Sequence, residues 1–226
     1  MFAFLERLDE EQRTAVTSDA DRLCIVAGAG TGKTTTLTSR ATWLVANGIR
    51  PERVMLVTFT RRAAREMIAR TDALLAELGV DAPASGGRVR AGTFHSIAHR
   101  TLRRHARSLG LEEGFSVLDP PDAADLLDMV RQDHLGSRAV ERRFPRKSTL
   151  LDLYSRAVNT QRPLSEVIGD VAPWASDRVD DVAEICRRYV ERKRDLAVVD
   201  FDDLLLLWRA AMRHPQMGHA LAGELD

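Results

Sequence analysis

The chain has 226 residues, of which 44% are apolar and 29% are charged, and its basic and acidic side chains balance to a formal net charge of zero. This composition excludes a wholly disordered chain and a protein that is basic over its whole surface, although a local basic face is still allowed. The length permits one large domain or two modest ones. Neither a membrane-spanning apolar run nor a secretion signal is evident in the sequence, so we expect a cytoplasmic protein. Cys24 and Cys186 are both predicted to be buried free thiols of a reducing compartment.

The first predicted element is a short helix, and a strand, a loop and a second helix follow it. The helix covers Leu8–Val16, with Asp9 as its N-cap. The next stretch reads LCIVAGAGTGKTTTLTSR from Leu23 to Arg40. Its first four residues are apolar and favour a strand, its glycines predict a tight loop, and the spacing after Lys33 predicts a helix.

The glycine loop has the pattern of a phosphate-binding loop. Backbone N–H groups in such a loop point inward at the positive end of a helix, and glycines let phosphate oxygens approach closely. In this pattern Lys33 would contact the β and γ phosphates, and the Thr34 hydroxyl would ligate Mg²⁺. Ala27 replaces the usual first glycine and still permits the turn. The dinucleotide pattern G-x-G-x-x-G fails on spacing, and a glycine loop without any ligand is the remaining alternative.

Two more units of strand followed by basic helix come next. Strands are predicted at Val54–Phe59 and Arg88–Phe94, and helices at Arg61–Arg70 and His95–Leu109. Three such units predict an α/β fold with a parallel sheet, whose ligands bind at the carboxyl ends of the strands.

Beyond Gly110 the pattern becomes mostly helical. One further strand is possible at Phe115–Leu118, and an acidic helix follows Pro120 and Pro121. We interpret residues 110–195 as a helical insertion, after which Val198–Asp203 leads into an apolar helix.

Five segments in this order resemble the amino-terminal part of superfamily 1 DNA helicases of the UvrD/Rep/PcrA type. The matching segments are LDEEQRTAV, AGAGTGKT, VTFTRRAAREM, GTFHSIAHRTLR and VDFDDLL. The resemblance implies a P-loop NTPase (RecA-like) domain, 1A, interrupted by a helical subdomain, 1B. The implied domains are 1–109 for the first part of 1A, 110–195 for 1B, and 196–226 for the return to 1A.

The resemblance also implies ATP and Mg²⁺ as cofactors. Gln12 would hydrogen-bond the adenine edge, while Lys33 and Thr34 would serve catalysis at the phosphates and the metal. The implied ATP-binding residues are Gln12, Ala27, Gly28, Ala29, Gly30, Thr31, Gly32, Lys33, Thr34 and Thr35.

Single-stranded DNA, including its junctions with duplex, is the implied partner. The residues that match the family's DNA contacts are Phe59, Thr60, Arg61, Thr93, Phe94 and His95. Aromatic rings stack on any base, and hydroxyls and arginines meet phosphates. Arginines far outnumber acidic residues between Arg50 and Arg107, which supplies a local positive charge. Without the resemblance, a role in the core is the favoured interpretation of Phe59 and Phe94.

ATP hydrolysis in this family further needs an apolar strand that ends in an Asp-Glu pair, and the 226 residues contain none. Asp200, Asp202 and Asp203 are interpreted as structural, helix-capping or DNA-side residues, with a Mg²⁺ role as the alternative. We therefore expect an incomplete motor fragment, the front end of a 3′-to-5′ translocase of DNA repair or replication, that binds ATP weakly at best and neither hydrolyses ATP nor unwinds DNA by itself. Two alternatives are a non-catalytic nucleotide- or DNA-binding module with the same fold and an unrelated P-loop ATPase. The sequence does not indicate an oligomeric state.

Overall fold

The computed structural model describes residues 2–80, 87–136 and 144–225. These residues form ten α-helices and four short β-strands. The helices are α1 (Glu10–Thr17), α2 (Lys33–Ala46), α3 (Arg61–Glu77), α4 (Phe94–Arg104), α5 (Pro120–Leu135), α6 (Lys147–Thr160), α7 (Leu164–Val171), α8 (Val179–Asp195), α9 (Phe201–Arg213) and α10 (Pro215–Ala222). The strands are β1 (Met55–Thr58), β2 (Arg90–Thr93), β3 (Ser116–Val117) and β4 (Val198–Val199). In this part of the chain, no helix combines the length and the apolar character that crossing a membrane requires.

β1 and β2 form a two-stranded parallel sheet. Met55 lies opposite Arg90, and Thr58 lies opposite Thr93. Two parallel strands need a crossover connection, and α3 lies in that connection. Each strand leads almost directly into a helix, so the predicted order of strand and helix is confirmed for these two units. The observed strands are shorter than the predicted ones by one or two residues at each end.

The predicted strand at Leu23–Val26 is wrong. Val26 is 96% exposed, and Leu23 and Ile25 are 41% and 37% exposed. The sheet beside this run contains only β1 and β2 among the described residues, and no backbone hydrogen bond joins the run to another described segment. A strand forms only where a neighbouring strand pairs with its N–H and C=O groups. Apolar, β-favouring composition is therefore insufficient here.

The core beside the sheet packs α2 and α3 against β1. Val45 of α2, Leu56 of β1 and Met67 of α3 are buried in one cluster. A second cluster joins the amino-terminal turn to α1 through Leu5 and Val16. Both clusters follow from helical spacing of apolar residues, and together they position the loop that precedes α2.

A larger apolar core lies among α5 to α8. Leu127, Leu153, Ile185 and Tyr189 are fully buried there. The predicted strand at Phe115–Leu118 is confirmed in a shortened form, because β3 pairs in parallel with β4 through Ser116 and Val198. The two-residue strands make this a minor sheet in a mostly helical region.

The chain divides into two compact units. One contains Met1–Ile97 and Ala211–Asp226, and the other contains Ala98–Ala210. The sequence of the second unit thus lies between the two parts of the first. The assignment of 1–109, 110–195 and 196–226 to particular domains stays a prediction.

Candidate functional site

The phosphate-loop sequence forms an irregular loop that ends at the start of α2. Gly30 and Gly32 both have φ near +80°, a conformation that side chains with a Cβ adopt only with strain. Gly32 is the N-cap of α2, and no side chain caps it. The first-turn N–H groups of α2 have no intrahelical acceptors, so they form a positive, donor-rich surface at the loop.

Lys33 occupies the first position of α2 and is exposed. Its ammonium group donates hydrogen bonds to the carbonyl oxygens of Ala27, at 3.0 Å, and of Gly28. The Thr31 hydroxyl donates to the same Gly28 carbonyl, at 2.9 Å. The amino group of Lys33 is therefore held by the loop itself, in the place where the sequence predicted a phosphate contact.

Gln12 faces this loop from α1. Its side-chain oxygen accepts from the Asp9 N–H at 3.3 Å, while the Asp9 carboxylate accepts from the Gln12 N–H at 2.8 Å, which completes a capping box. Its side-chain nitrogen donates to the Thr31 carbonyl at 3.2 Å. A Cβ on Gly32 would lie 2.8 Å from that nitrogen, so the approach depends on glycine.

A cleft of 710 Å³ opens between α1 and the loop. Its lining includes Gln12, Ala27, Gly28, Gly30, Thr31, Gly32 and Lys33. The volume lies within the range of about 300–1,000 Å³ that is usual for small-molecule sites. The cleft offers backbone N–H donors, an ammonium group and glycines without a Cβ. These features suit a nucleoside triphosphate, because its phosphate oxygens are anionic acceptors.

The other predicted nucleotide residues lie at the edge of this cleft. Ala29, Thr34 and Thr35 are exposed and are not among the cleft-lining residues. Thr34 is the second residue of α2. Its hydroxyl is a suitable ligand for Mg²⁺ by chemistry, and its metal role stays a prediction.

Phe59 and Phe94 meet at the carboxyl end of the β1–β2 sheet. Each follows the last residue of its strand, and Thr58 and Thr93 are opposite one another, so the register itself brings the rings together. Their centroids are 5.6 Å apart with an interplanar angle of 44°. Phe59 is 88% exposed and Phe94 39% exposed, which contradicts a purely structural role in the core.

The polar residues beside these rings begin two helices. The Thr60 hydroxyl accepts from the Ala63 N–H at 3.1 Å and caps α3, and Arg61 is exposed in the first turn of α3. The Thr93 hydroxyl accepts from the Ser96 N–H at 3.2 Å at the start of α4. His95 is half-buried within that first turn. The predicted DNA-side residues thus adjoin one exposed aromatic pair.

A buried polar network surrounds Lys193, which the sequence analysis did not single out. Its ammonium is 2.6 Å from the Asp200 carboxylate and 2.5 Å from that of Asp203, and the Tyr154 hydroxyl is 3.2 Å away. The Tyr189 hydroxyl donates to Asp200 at 2.9 Å. The helical period offered a signal, because Lys193 continues the buried face that includes Tyr189 on α8.

The acidic residues at the start of α9 make structural contacts, and the predicted helix-capping role is confirmed for Asp200 and Asp203. Asp200 and Asp203 each accept a hydrogen bond from the backbone N–H of the other, at 2.8 and 3.1 Å, and so cap α9. Asp202 accepts from the Asn159 amide at 2.7 Å. Burial raises the pKa of Asp203 above its ordinary value, with Lys193 opposing the shift.

The two cysteines differ. Cys24 is exposed, which corrects the prediction that it is buried, because the run that contains it is not a strand. Cys186 is partly covered within α8, and burial raises the pKa of its thiol to about 12. Neither cysteine lines the cleft beside Lys33.

Comparison with known proteins matches residues 8–223 to the UvrD/REP helicase N-terminal domain. The chain belongs to this family. Among its relatives, the "ATP-dependent DNA helicase UvrD1" of Mycobacterium leprae is 35% identical over 207 residues, which cover 89% of this chain and 25% of the relative. The "ATP-dependent DNA helicase PcrA" of Staphylococcus epidermidis is 30% identical over 208 residues, covering 91% of this chain and 26% of the relative. A PcrA helicase of Staphylococcus aureus is 31% identical over the same length.

The UvrD/REP helicase N-terminal domain match spans the loop at Lys33, the aromatic pair and the Asp200 segment. The resemblance that the motifs indicated is therefore confirmed at the level of the family. The chain spans about a quarter of the length of the relatives it matches.

Proposed function

We propose that this chain is the ATP-binding part of an ATP-dependent DNA helicase, with ATP in the cleft beside Lys33 and single-stranded DNA on the Phe59–Phe94 pair. The observation that carries the proposal is the combination, in one cleft of 710 Å³, of an exposed lysine, a helix start without a side-chain cap and glycines with positive φ. The family match supports the same assignment.

The phosphates of ATP would bind at the start of α2. The first-turn N–H groups donate to phosphate oxygens, and the Lys33 ammonium exchanges its two carbonyl acceptors for anionic ones, which are stronger acceptors. The Thr34 hydroxyl would hold Mg²⁺, and the ion would supply positive charge that offsets the charge of the phosphates.

The adenine would be read by Gln12. After its bonds to Asp9 and Thr31, its side-chain amide retains one N–H and one oxygen lone pair. These match the N7 acceptor and N6 amino donor of adenine. Guanine has a carbonyl oxygen, O6, in place of the N6 amino group of adenine, so the amide oxygen of Gln12 would repel it.

Unpaired DNA would stack on the exposed rings at the sheet end, with Arg61 beside the phosphates. Such contacts tolerate any sequence, as a translocating protein requires. We further propose, by analogy with the family, movement from 3′ to 5′, action at junctions of duplex and single strand, and a role in DNA repair or replication.

The test is ATP binding by the wild-type chain and by Lys33→Ala. Removing a charge-assisted phosphate contact should weaken binding of a fluorescent ATP analogue by about 10- to 100-fold. Lys147→Ala is the matched control, because Lys147 is an exposed lysine that pairs with Asp125 and does not line the cleft. Equal affinities of wild type and Lys33→Ala would contradict the proposed ATP site.

A second candidate function is a nucleotide- and DNA-binding module without turnover. It is favoured by one observation: Asp200 and Asp203, which follow β4, are bonded to Lys193 and cap α9. A measurement of turnover separates the two candidates.

A further inference from the structure

We infer that Arg40 is a positioning residue for nucleotide selectivity, because it holds α1, and with it Gln12, in place beside the phosphate loop. The inference rests on the proposed function, since it requires that Gln12 reads the base of a bound nucleotide. It concerns a residue outside the cleft lining.

Arg40 lies on α2 and binds the end of α1. One terminal nitrogen of its guanidinium donates to the carbonyl oxygens of Ala15, Val16 and Ser18, at 3.0, 3.1 and 3.0 Å. The last carbonyls of a helix have no intrahelical partners and form the negative end of its dipole. A half-buried arginine from a neighbouring helix therefore satisfies them and fixes where α1 ends.

The same helix carries Lys33. Arg40 follows Lys33 by seven residues, which is close to two full turns, so both side chains lie on nearly the same side of α2. One helix, α2, therefore carries both the phosphate contact at its start and, two turns later, the arginine that holds α1.

α1 depends on such anchors. It has only eight residues and a single fully buried one, Val16. Isolated helices of this length are unstable in water. Arg13 adds bonds to the preceding segment through the Leu5 and Leu8 carbonyls, but only Gln12 and Arg40 hydrogen-bond α1 to α2 or the loop before it, among the described side chains.

The side chain of Gln12 packs directly against the phosphate loop. Its nitrogen donates to the Thr31 carbonyl at 3.2 Å and lies so close to Gly32 that a Cβ there would be only 2.8 Å away. Loss of the Arg40 anchor would let α1 shift and would misplace the amide that distinguishes adenine from guanine. The phosphate contacts belong to α2 and its loop, so they would remain.

The experiment compares binding of ATP, GTP and inorganic triphosphate to the wild-type chain, Arg40→Gln, Arg40→Lys and Lys33→Ala. Arg53→Gln is the matched control, because Arg53 also donates to backbone carbonyls, those of Gly223 and Leu225, and does not line the cleft. Circular dichroism verifies that each variant is folded.

We expect Arg40→Gln to reduce the preference for ATP over GTP by about fivefold or more. Its affinity for inorganic triphosphate should match that of the wild type, Arg40→Lys should recover part of the preference, and Arg53→Gln should retain all of it. If Arg40→Gln does not fold, the ratio measured for Arg40→Lys decides.

An unchanged ATP preference in the Arg40 variants, or an equal loss of ATP and triphosphate binding, overturns the role of Arg40 and leaves the ATP site standing. A wild-type chain that binds ATP no better than Lys33→Ala overturns the proposed ATP site, and the inference with it.

Discussion

Lys193 is 2% exposed, and its charge is balanced inside the protein by two carboxylates. Its ammonium also lies 4.5 Å from the ring centroid of Tyr189 and 5.0 Å from that of Tyr154. Every donor of the ammonium thus has an acceptor, and the aromatic faces add favourable electrostatics. Because α8, α6 and the start of α9 all contribute to it, this network fixes the packing of three helices.

Removal of the Lys193 charge should be strongly destabilising. In Lys193→Met, Asp200 and Asp203 stay buried beside one another without a cation, which typically costs about 3–5 kcal/mol of the free energy of unfolding. Urea denaturation followed by circular dichroism measures the change. The exposed pair of Lys147 and Asp125 offers the control, since Lys147→Met should change stability by about 0.5 kcal/mol or less. A similar small effect for Lys193→Met would contradict the role of the network.

Strand register decides how the aromatic pair forms. Phe59 and Phe94 are 35 positions apart in the sequence, yet each follows a strand whose last residue is paired with the last residue of the other. Parallel strands present their carboxyl ends at one edge, and α3 and α4 begin at that same edge. Exposed rings therefore lie beside two helix starts, an arrangement suited to an anionic, base-bearing chain.

Replacement of both rings should weaken binding of single-stranded DNA. Base stacking on an aromatic side chain contributes about 1–3 kcal/mol per base, so Phe59→Ala with Phe94→Ala should raise Kd by about tenfold or more. Fluorescence anisotropy with a labelled oligonucleotide at fixed salt gives the affinity. Trp174→Ala serves as the control, because Trp174 is also an exposed aromatic residue, at 53%. Equal losses in both variants would refute a specific stacking site at the sheet end.

The cleft beside Lys33 and the exposed aromatic pair both lie in the unit that contains Met1–Ile97. The helical unit, Ala98–Ala210, contains the Lys193 network. In that unit, Asp200 and Asp203 are bonded to Lys193 and cap α9, and Asp202 accepts from Asn159. Metal binding by Asp200 or Asp203 would therefore break contacts that the fold uses.

We expect the 226-residue polypeptide to bind ATP without DNA-stimulated hydrolysis. The physical reason is that the sequence has no apolar strand ending in Asp-Glu to hold the metal and activate water. Phosphate release with and without single-stranded DNA is the measurement. Turnover that is stimulated by DNA and abolished in Lys33→Ala would contradict this expectation and would favour an active enzyme.

The local elements and the family were accessible from the sequence. The signals that predict these elements act over only a few residues. They are helical periodicity, capping residues such as Asp9 and Thr60, and the glycines before Lys33, so the sequence of each segment is enough to predict them. The chemistry of the phosphate loop could be predicted in the same way, because the loop, Lys33 and the start of α2 are contiguous in the sequence.

Tertiary structure alone decided three things. It left Leu23–Val26 without a pairing strand among the residues that the structure describes, it placed Lys193 between two carboxylates, and it brought Arg40 onto the end of α1. In each case the outcome depends on groups far apart in the chain, and composition carries no information about which distant group will satisfy a backbone carbonyl, a strand edge or a buried charge.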